Sequence, residues 1–163
     1  MERAFRKMRA TVLTSTNVKQ VSVGEDGLCH VDIEGKKGEQ TLEADIVLSA
    51  VGIKSNIEDM GLEELGIEIE RDKIKVDEHF KTSVDGVYAI GDIIATPALA
   101  HVASAEAIHC VEHICGLNPE AIDYSTIPSC IFTSPEVASV GLTEQQVKAQ
   151  GIEYKVGKFP YTA

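Results

Sequence analysis

Apolar and polar positions alternate through the first fifth of the chain and predict strands there. Val21 and Val23 begin the pattern, and Cys29, Val31 and Ile33 continue it, interleaved with His30 and Asp32. Residues 11–13 predict a shorter strand before them, and Gly24-Glu25-Asp26-Gly27 and Gly35-Lys36-Lys37-Gly38 supply turns. Ile46-Val47-Leu48-Ser49-Ala50-Val51 then runs without alternation, the pattern of a strand covered on both faces of an α/β sheet, and ends at Gly52. A second buried-type strand, Val87-Tyr88-Ala89-Ile90, leads into Gly91-Asp92. Between the two, residues 57–78 are acid-rich and broken by Gly61 and Gly66, which predicts an irregular surface connection.

Beyond Asp92 the period changes. Leu99, Val102, Ala103, Ala107, Cys110, Val111 and Ile114 recur at helical spacing, with Thr96 suited to the N-cap, Pro97 to the first helical position and Gly116 to the residue past the end. A third segment opens near Ile127, with short strands around Cys130 and Val140. Thr143-Glu144-Gln145-Gln146 fits a capping box and predicts a helix to Gly151, after which residues 154–159 predict another strand. A chain that opens with a helix and strands of one sheet, adds a strand and helix of another and stops as a third region starts is expected to be a piece of something larger.

Composition narrows the function classes. The 163 residues allow one ordinary domain or parts of several, and 44% hydrophobic with 25% charged residues is a globular balance. No run approaches the ~18–20 apolar residues of a membrane helix. With 15 Lys plus Arg against 26 Asp plus Glu, the net charge of -11 gives no electrostatic reason to approach a phosphate backbone, so neither nucleic acid nor membrane is an expected partner. Arg3, Arg6, Lys7 and Arg9 have no apolar core behind them, which is not the layout of a secretory signal, and a cytoplasmic location is the expectation. The four cysteines read as buried or free thiols.

The strand-to-helix junction at Asp92 is the first candidate site. With Thr96 as N-cap, the amides of Ala98, Leu99, Ala100 and His101 would lack intrahelical partners, and the helix dipole would favour electron-rich groups beside them. Asp92 ends a buried-type strand, where open α/β sheets bind ligands, and a carboxylate there suits ribose or ribitol hydroxyls. The alternative is that Gly91-Asp92 is only a turn and the helix start only well capped.

Two other patterns carry less. Cys110 and Cys115, five apart on one helix, would have Cα atoms about 8–9 Å apart, beyond the ~7 Å reach of a disulfide, and read as structurally buried. Cys29 and Cys130 read likewise as strand residues. His109-Cys110-Val111-Glu112-His113 matches a His-x-x-Glu-His zinc pattern, but no third ligand follows it, so no metal site is expected. His30 and His79 carry no signal beyond a strand face and a loop.

Thr82, six residues and then Ala89-Ile90-Gly91-Asp92 resemble the second flavin fingerprint of the pyridine nucleotide-disulfide oxidoreductases. Pro97-Ala98-Leu99-Ala100-His101, Ile127-Pro128, the stretch from Thr133-Ser134-Pro135-Glu136 to Gly141-Leu142-Thr143-Glu144, and Val156-Gly157-Lys158-Phe159-Pro160 resemble the dihydrolipoamide dehydrogenase branch of that family, in order along nearly the whole chain. The resemblance implies an α/β fold, α+β in the piece present, built from parts of Rossmann-like domains. Residues 1–52 would end the NAD-binding domain, 53–123 would be the C-terminal part of the FAD-binding domain and 124–163 would start the dimerisation domain. It implies a flavoenzyme oxidising protein-bound dihydrolipoamide with NAD through FAD and a redox disulfide. The parent would be a homodimer whose partners are lipoyl domains of 2-oxo acid dehydrogenase or glycine cleavage complexes.

By the same resemblance Asp92, next to Gly91, would hold the flavin ribitol. The amides of Ala98, Leu99, Ala100 and His101 would face the flavin's pyrimidine edge, and Gly52 would lie where the NAD dinucleotide passes close to backbone. The family usually follows that glycine with two arginines, proline and asparagine, whereas Ile53-Lys54-Ser55-Asn56 stands here. No Gly-x-Gly-x-x-Gly fingerprint occurs, the redox cysteine pair is missing, and the acid-base His-Glu motif is expected beyond Ala163. No residue present is therefore assigned a catalytic role, and the chain alone is expected to be inactive and to retain neither FAD nor NAD. The competing expectations are a mercuric reductase, glutathione reductase or transhydrogenase relative, or a noncatalytic self-associating module.

Overall fold

A computed structural model describes residues 1–160, so the last three residues of the expected dimerisation segment lie outside the described residues. The chain divides into two compact units, Met1–Ile53 with Phe132–Glu136, and Lys54–Ile131 with the remaining described residues from Val137 on.

In the first unit, helix α1 (Glu2–Lys7) has an acid in its first turn and Arg6 and Lys7 in its last, the arrangement that opposes the helix dipole. Strands β1 (Asn17–Val23), β2 (Cys29–Gly35) and β3 (Gly38–Ala44) form an antiparallel sheet in the order β1-β2-β3. Gly35 pairs with Gly38 across the two-lysine turn, and Gly38 takes the left-handed conformation (φ 90°) that closes it. The alternation predicted at 21–33 is thus present as β1 and β2, and Ile33 is the buried residue on that sheet.

The predicted strands at 11–13 and 46–51 are not formed. A strand exists through the ladder it shares with a neighbour, and no strand lies beside either run among the described residues. Leu48 and Val51 accordingly stay 88% and 94% exposed.

The second unit holds the larger core, in which Ile67, Ile74, Phe80, Ala89, Ile94 and Cys110 cluster. Burying a side chain such as Ile94, which is fully enclosed, stabilises by about 1.5–3 kcal/mol. Residues 57–78 are more than the surface connection predicted. They bury Ile57, Ile67 and Ile74, and they form a short antiparallel hairpin of β4 (Ile69–Glu70) and β5 (Lys73–Ile74). The expected strand at 87–90 is reduced to a single bridge between Lys81 and Tyr88, again for want of a longer neighbour.

Helix α2 (Ala100–Ile114) starts three residues later than its capping pattern predicts. The Leu99 N–H turns back onto the Pro97 carbonyl (2.8 Å), and Leu99, extended at φ -137°, becomes the N-cap without a side-chain bond. The end is as expected, with Gly116 left-handed (φ 79°) just past Cys115. The inward face differs from the predicted stripe, because Val102, Glu106, His109 and Cys110 are buried while Val111 and Ile114 are exposed.

Strands β6 (Ser129–Ile131) and β7 (Val137–Ser139) pair antiparallel. Helix α3 (Glu144–Ala149) carries the capping box predicted at Thr143: the Gln146 N–H donates to the Thr143 hydroxyl oxygen, and the Thr143 N–H donates to Gln146 Oε1. Residues 154–159 form no strand, lacking a partner like the runs above.

Candidate functional site

The Gly91-Asp92 turn is held from both sides within the second unit. Gly91 is buried and left-handed (φ 73°), and a Cβ on it would stand 3.2 Å from the Cβ of Ala103 on α2. Its N–H donates to Glu106 Oε2 at 2.7 Å. On the far side the Asp92 carbonyl accepts from Lys73 Nζ at 2.7 Å and from the Ser55 hydroxyl at 3.3 Å, and Lys73 Nζ also donates to Ser55 Oγ at 2.8 Å. A single 3-10 turn, Gly91–Ile93, closes with the Ile94 N–H on the Gly91 carbonyl. The Asp92 side chain between these anchors is exposed, and among the described residues its carboxylate accepts no hydrogen bond.

Supporting groups lie around the turn. Ser55 N–H donates to Asp72 Oδ2 at 3.1 Å, and that bond, more than the nearby Lys73 charge, holds the Asp72 carboxyl below its ordinary range against a smaller opposing effect of burial. The Thr82 hydroxyl donates to the Val87 carbonyl and accepts from the Val84 N–H, so this first residue of the flavin-type fingerprint pins the loop leading to Gly91.

At the start of α2 the geometry corrects the predicted set of free amides. Leu99 is occupied by the Pro97 carbonyl, whereas Ala98, Ala100 and His101 donate to no group among the described residues. The Thr96 hydroxyl, expected as a cap, is instead buried with no partner. An exposed carboxylate and three free amides thus lie within ten residues of one another. Gly52, in the first unit, is exposed and left-handed (φ 123°) with nothing within 4 Å of a would-be Cβ, a backbone open to close approach by a ligand.

Two features escaped the sequence reading. Glu106 is completely buried on α2, taking the Gly91 N–H on one oxygen and the Tyr124 hydroxyl on the other at 2.9 Å. Burial first, and then that bond to Glu106, push the Tyr124 hydroxyl well above its ordinary range. The available signal was positional, since Glu106 sits one helical turn from both Val102 and Cys110, the places of an apolar stripe.

The second is a histidine stack. His79 lies face to face with His113 (centroids 3.8 Å apart) and its Nδ1 meets His109 Nε2 at 3.1 Å, while His109 Nδ1 meets the Glu120 carbonyl at 3.0 Å. Both ring nitrogens of His109 are therefore engaged, and among the described residues no group of three or more His, Cys, Asp or Glu could hold a metal ion. All four cysteines are free. Burial describes Cys110, but Cys115 ends the helix in solvent, a correction to the expectation that both are packed.

Residues 1–107 match the family described as pyridine nucleotide-disulphide oxidoreductase, and residues 127–163 match its dimerisation domain. Among curated proteins, the chain is 43% identical to mitochondrial dihydrolipoyl dehydrogenase of Canis lupus familiaris and 42% identical to that of Homo sapiens. Each alignment covers 99% of this chain and 32% of the relative. Mitochondrial dihydrolipoyl dehydrogenase 2 of Arabidopsis thaliana is also 42% identical, with the same coverage. A crystal structure of LpdA from Mycobacterium tuberculosis superposes with a TM-score of 0.79 at 27% identity, over 91% of this chain and 32% of that one. The chain spans about a third of the length of the relatives it matches. Among the described residues, no helix is long and apolar enough to cross a membrane.

Proposed function

The chain belongs to the pyridine nucleotide-disulphide oxidoreductase family, and from that membership we propose that it is the part of a dihydrolipoyl dehydrogenase that holds one side of the FAD site. The observation that carries the reading is the Gly91-Asp92 turn, anchored on both flanks with its carboxylate left free, in a chain alike to dihydrolipoyl dehydrogenases along 99% of its length. FAD, when bound, supplies the two-electron relay between a dithiol–disulfide couple and NAD.

The chain's own residues bind and orient. Asp92 accepts from ribitol hydroxyls, and the free amides of Ala98, Ala100 and His101 meet the electron-rich edge of the ring system. Gly52 gives the dinucleotide close access to backbone. The three assigned regions, 1–52 from an NAD-binding domain, 53–123 from an FAD-binding domain and 124–163 from a dimerisation domain, complete the reading. The dimerisation match supports a homodimeric parent, and lipoyl domains of 2-oxo acid dehydrogenase or glycine cleavage complexes are its proposed partners. The cytoplasmic location expected from the sequence belongs to this reading, with a mitochondrial one, the location in the relatives' names, as its alternative.

This stretch alone carries no redox cysteine pair and no glycine-rich dinucleotide fingerprint, so the isolated 163 residues are expected to be colourless and without activity. The protein as its host makes it should show flavin absorbance and reduce NAD with dihydrolipoamide, and Asp92→Ala should lower its flavin content. A colourless natural protein, or one that prefers glutathione disulfide, mercuric ion or NADP, would overturn the assignment.

A further inference from the structure

Glu106 is an unusual residue for its position. A carboxylate completely enclosed on a helix face shared with Val102, His109 and Cys110 is costly unless its oxygens are fully used, and an apolar side chain of equal volume would pack there without that cost. No cation stands within salt-bridge distance of it among the described residues. Its two oxygens are instead spent on two neutral donors from different parts of the chain, the Gly91 N–H at 2.7 Å and the Tyr124 hydroxyl at 2.9 Å.

The first of these bonds bears on the candidate site. The peptide entering Gly91 is fixed by Glu106 and the peptide leaving Asp92 by Lys73 and Ser55, so the direction of the Asp92 side chain is set by two anchors outside the turn. The left-handed glycine cannot supply that rigidity, because glycine explores more backbone conformations than any other residue. The second bond fixes the carboxylate itself, since with Tyr124 on Oε1 the group cannot rotate without breaking one contact or the other.

We propose that Glu106 is a positioning residue of the flavin site: it sets the backbone of the Gly91-Asp92 turn and thereby aims the Asp92 carboxylate at the ligand, with Tyr124 locking it in place. This rests on the flavin-site reading above.

The test uses the protein as its host makes it, in wild-type form and as Glu106→Ala and Glu106→Gln. Hydrogen exchange of the Gly91 amide is measured without flavin, and FAD is titrated by fluorescence quenching into the same samples. Glu106→Ala should speed Gly91 exchange about tenfold or more and weaken FAD binding by a comparable factor, as loss of a charge-assisted bond requires. Glu106→Gln keeps an acceptor oxygen and should restore most of both. If Glu106→Ala fails to fold, Glu106→Met keeps the volume, removes both acceptors and takes its place. Unchanged Gly91 exchange in these variants would overturn the proposal, and so would faster exchange with undiminished FAD affinity. A wild-type protein that binds no FAD would overturn the flavin reading, while the Gly91 exchange rates would still decide whether Glu106 holds the turn.

Discussion

Ser55 reaches Asp92 across 37 positions of sequence, its hydroxyl donating to the Asp92 carbonyl while its own N–H is taken by Asp72. Ser55 stands where the resemblance to the family puts proline, a residue with neither an N–H nor a hydroxyl to offer. Lys73 completes the link by donating to both Ser55 Oγ and the Asp92 carbonyl. The segment after Gly52, read from sequence as a departure from the family pattern, therefore contributes an anchor of the candidate site.

Removing that anchor should be measurable. Ser55→Ala deletes the bond to the Asp92 carbonyl and the one accepted from Lys73, whose ammonium keeps the Asp92 carbonyl, and should cost about 1–2 kcal/mol, and Ser55→Pro, which also abolishes the bond to Asp72, should cost more. Lys73→Met combined with Ser55→Ala should cost less than the sum of the two, because both act on one carbonyl. Denaturant unfolding of wild type, the three single variants and the double variant checks this, and strict additivity would show that the two side chains act separately.

Gly91 admits no side chain cheaply. At φ 73° an L-residue is strained by about 1–2 kcal/mol, and the added Cβ would also crowd Ala103 at 3.2 Å. Gly91→Ala should therefore lower the unfolding midpoint and weaken FAD binding, whereas Gly86→Ala, left-handed but with nothing within 4 Å, should show only the backbone cost. Calorimetry and flavin titration on the pair separate the two effects, and equal losses would argue against a crowded Gly91.

Features whose cause is local were legible in the sequence. Strands β1 and β2 follow from alternation, the turn after β2 from its two glycines, the α3 cap from Thr143 and Gln146, and the end of α2 from Gly116, whereas β3, a mostly polar strand, gave no alternation to read. The runs 46–51, 87–90 and 154–159 were misread as strands because an apolar run signals a need for cover, while the ladder depends on a neighbour the pattern does not name. The Gly91-Asp92 turn was legible from its glycine and the fingerprint, although the strand expected to lead into it is not formed. Glu106, His79 and His109 were not, since each is polar and its role comes from a partner 11 to 30 positions away. The α2 start was misplaced because the Pro97 carbonyl takes the Leu99 N–H, a bond that helix-capping preferences do not anticipate.

The cysteines should separate by reactivity. Burial, and to a lesser degree the charge of Asp77, push the Cys110 thiol above its ordinary range, while Cys115 and Cys130 are exposed. Native alkylation with iodoacetamide should label Cys115 and Cys130 and spare Cys110 until denaturant is added. Early labelling of Cys110, read by peptide mass spectrometry, would contradict the enclosed α2 face.

Tyr124 should leave a signature at alkaline pH. An unfolded tyrosine ionises near pH ~10, and in the folded protein burial and the bond to Glu106 push Tyr124 above that value. A raised folded value means that the native state holds the proton more tightly than the unfolded chain. The resulting stability is complete below the unfolded value and drains away as pH rises from there toward the folded one. Wild-type unfolding free energy should therefore fall faster above pH ~10 than that of Tyr124→Phe, by up to about 1.4 kcal/mol per pH unit, because the variant has no proton to release at that position. Near neutral pH the order reverses in cause, and Tyr124→Phe should be the less stable protein by about 1–2 kcal/mol for the donor that Glu106 loses. Urea titrations at a series of pH values give both quantities from one pair of proteins, and parallel curves above pH ~10 would mean that Tyr124 titrates as freely in the fold as outside it.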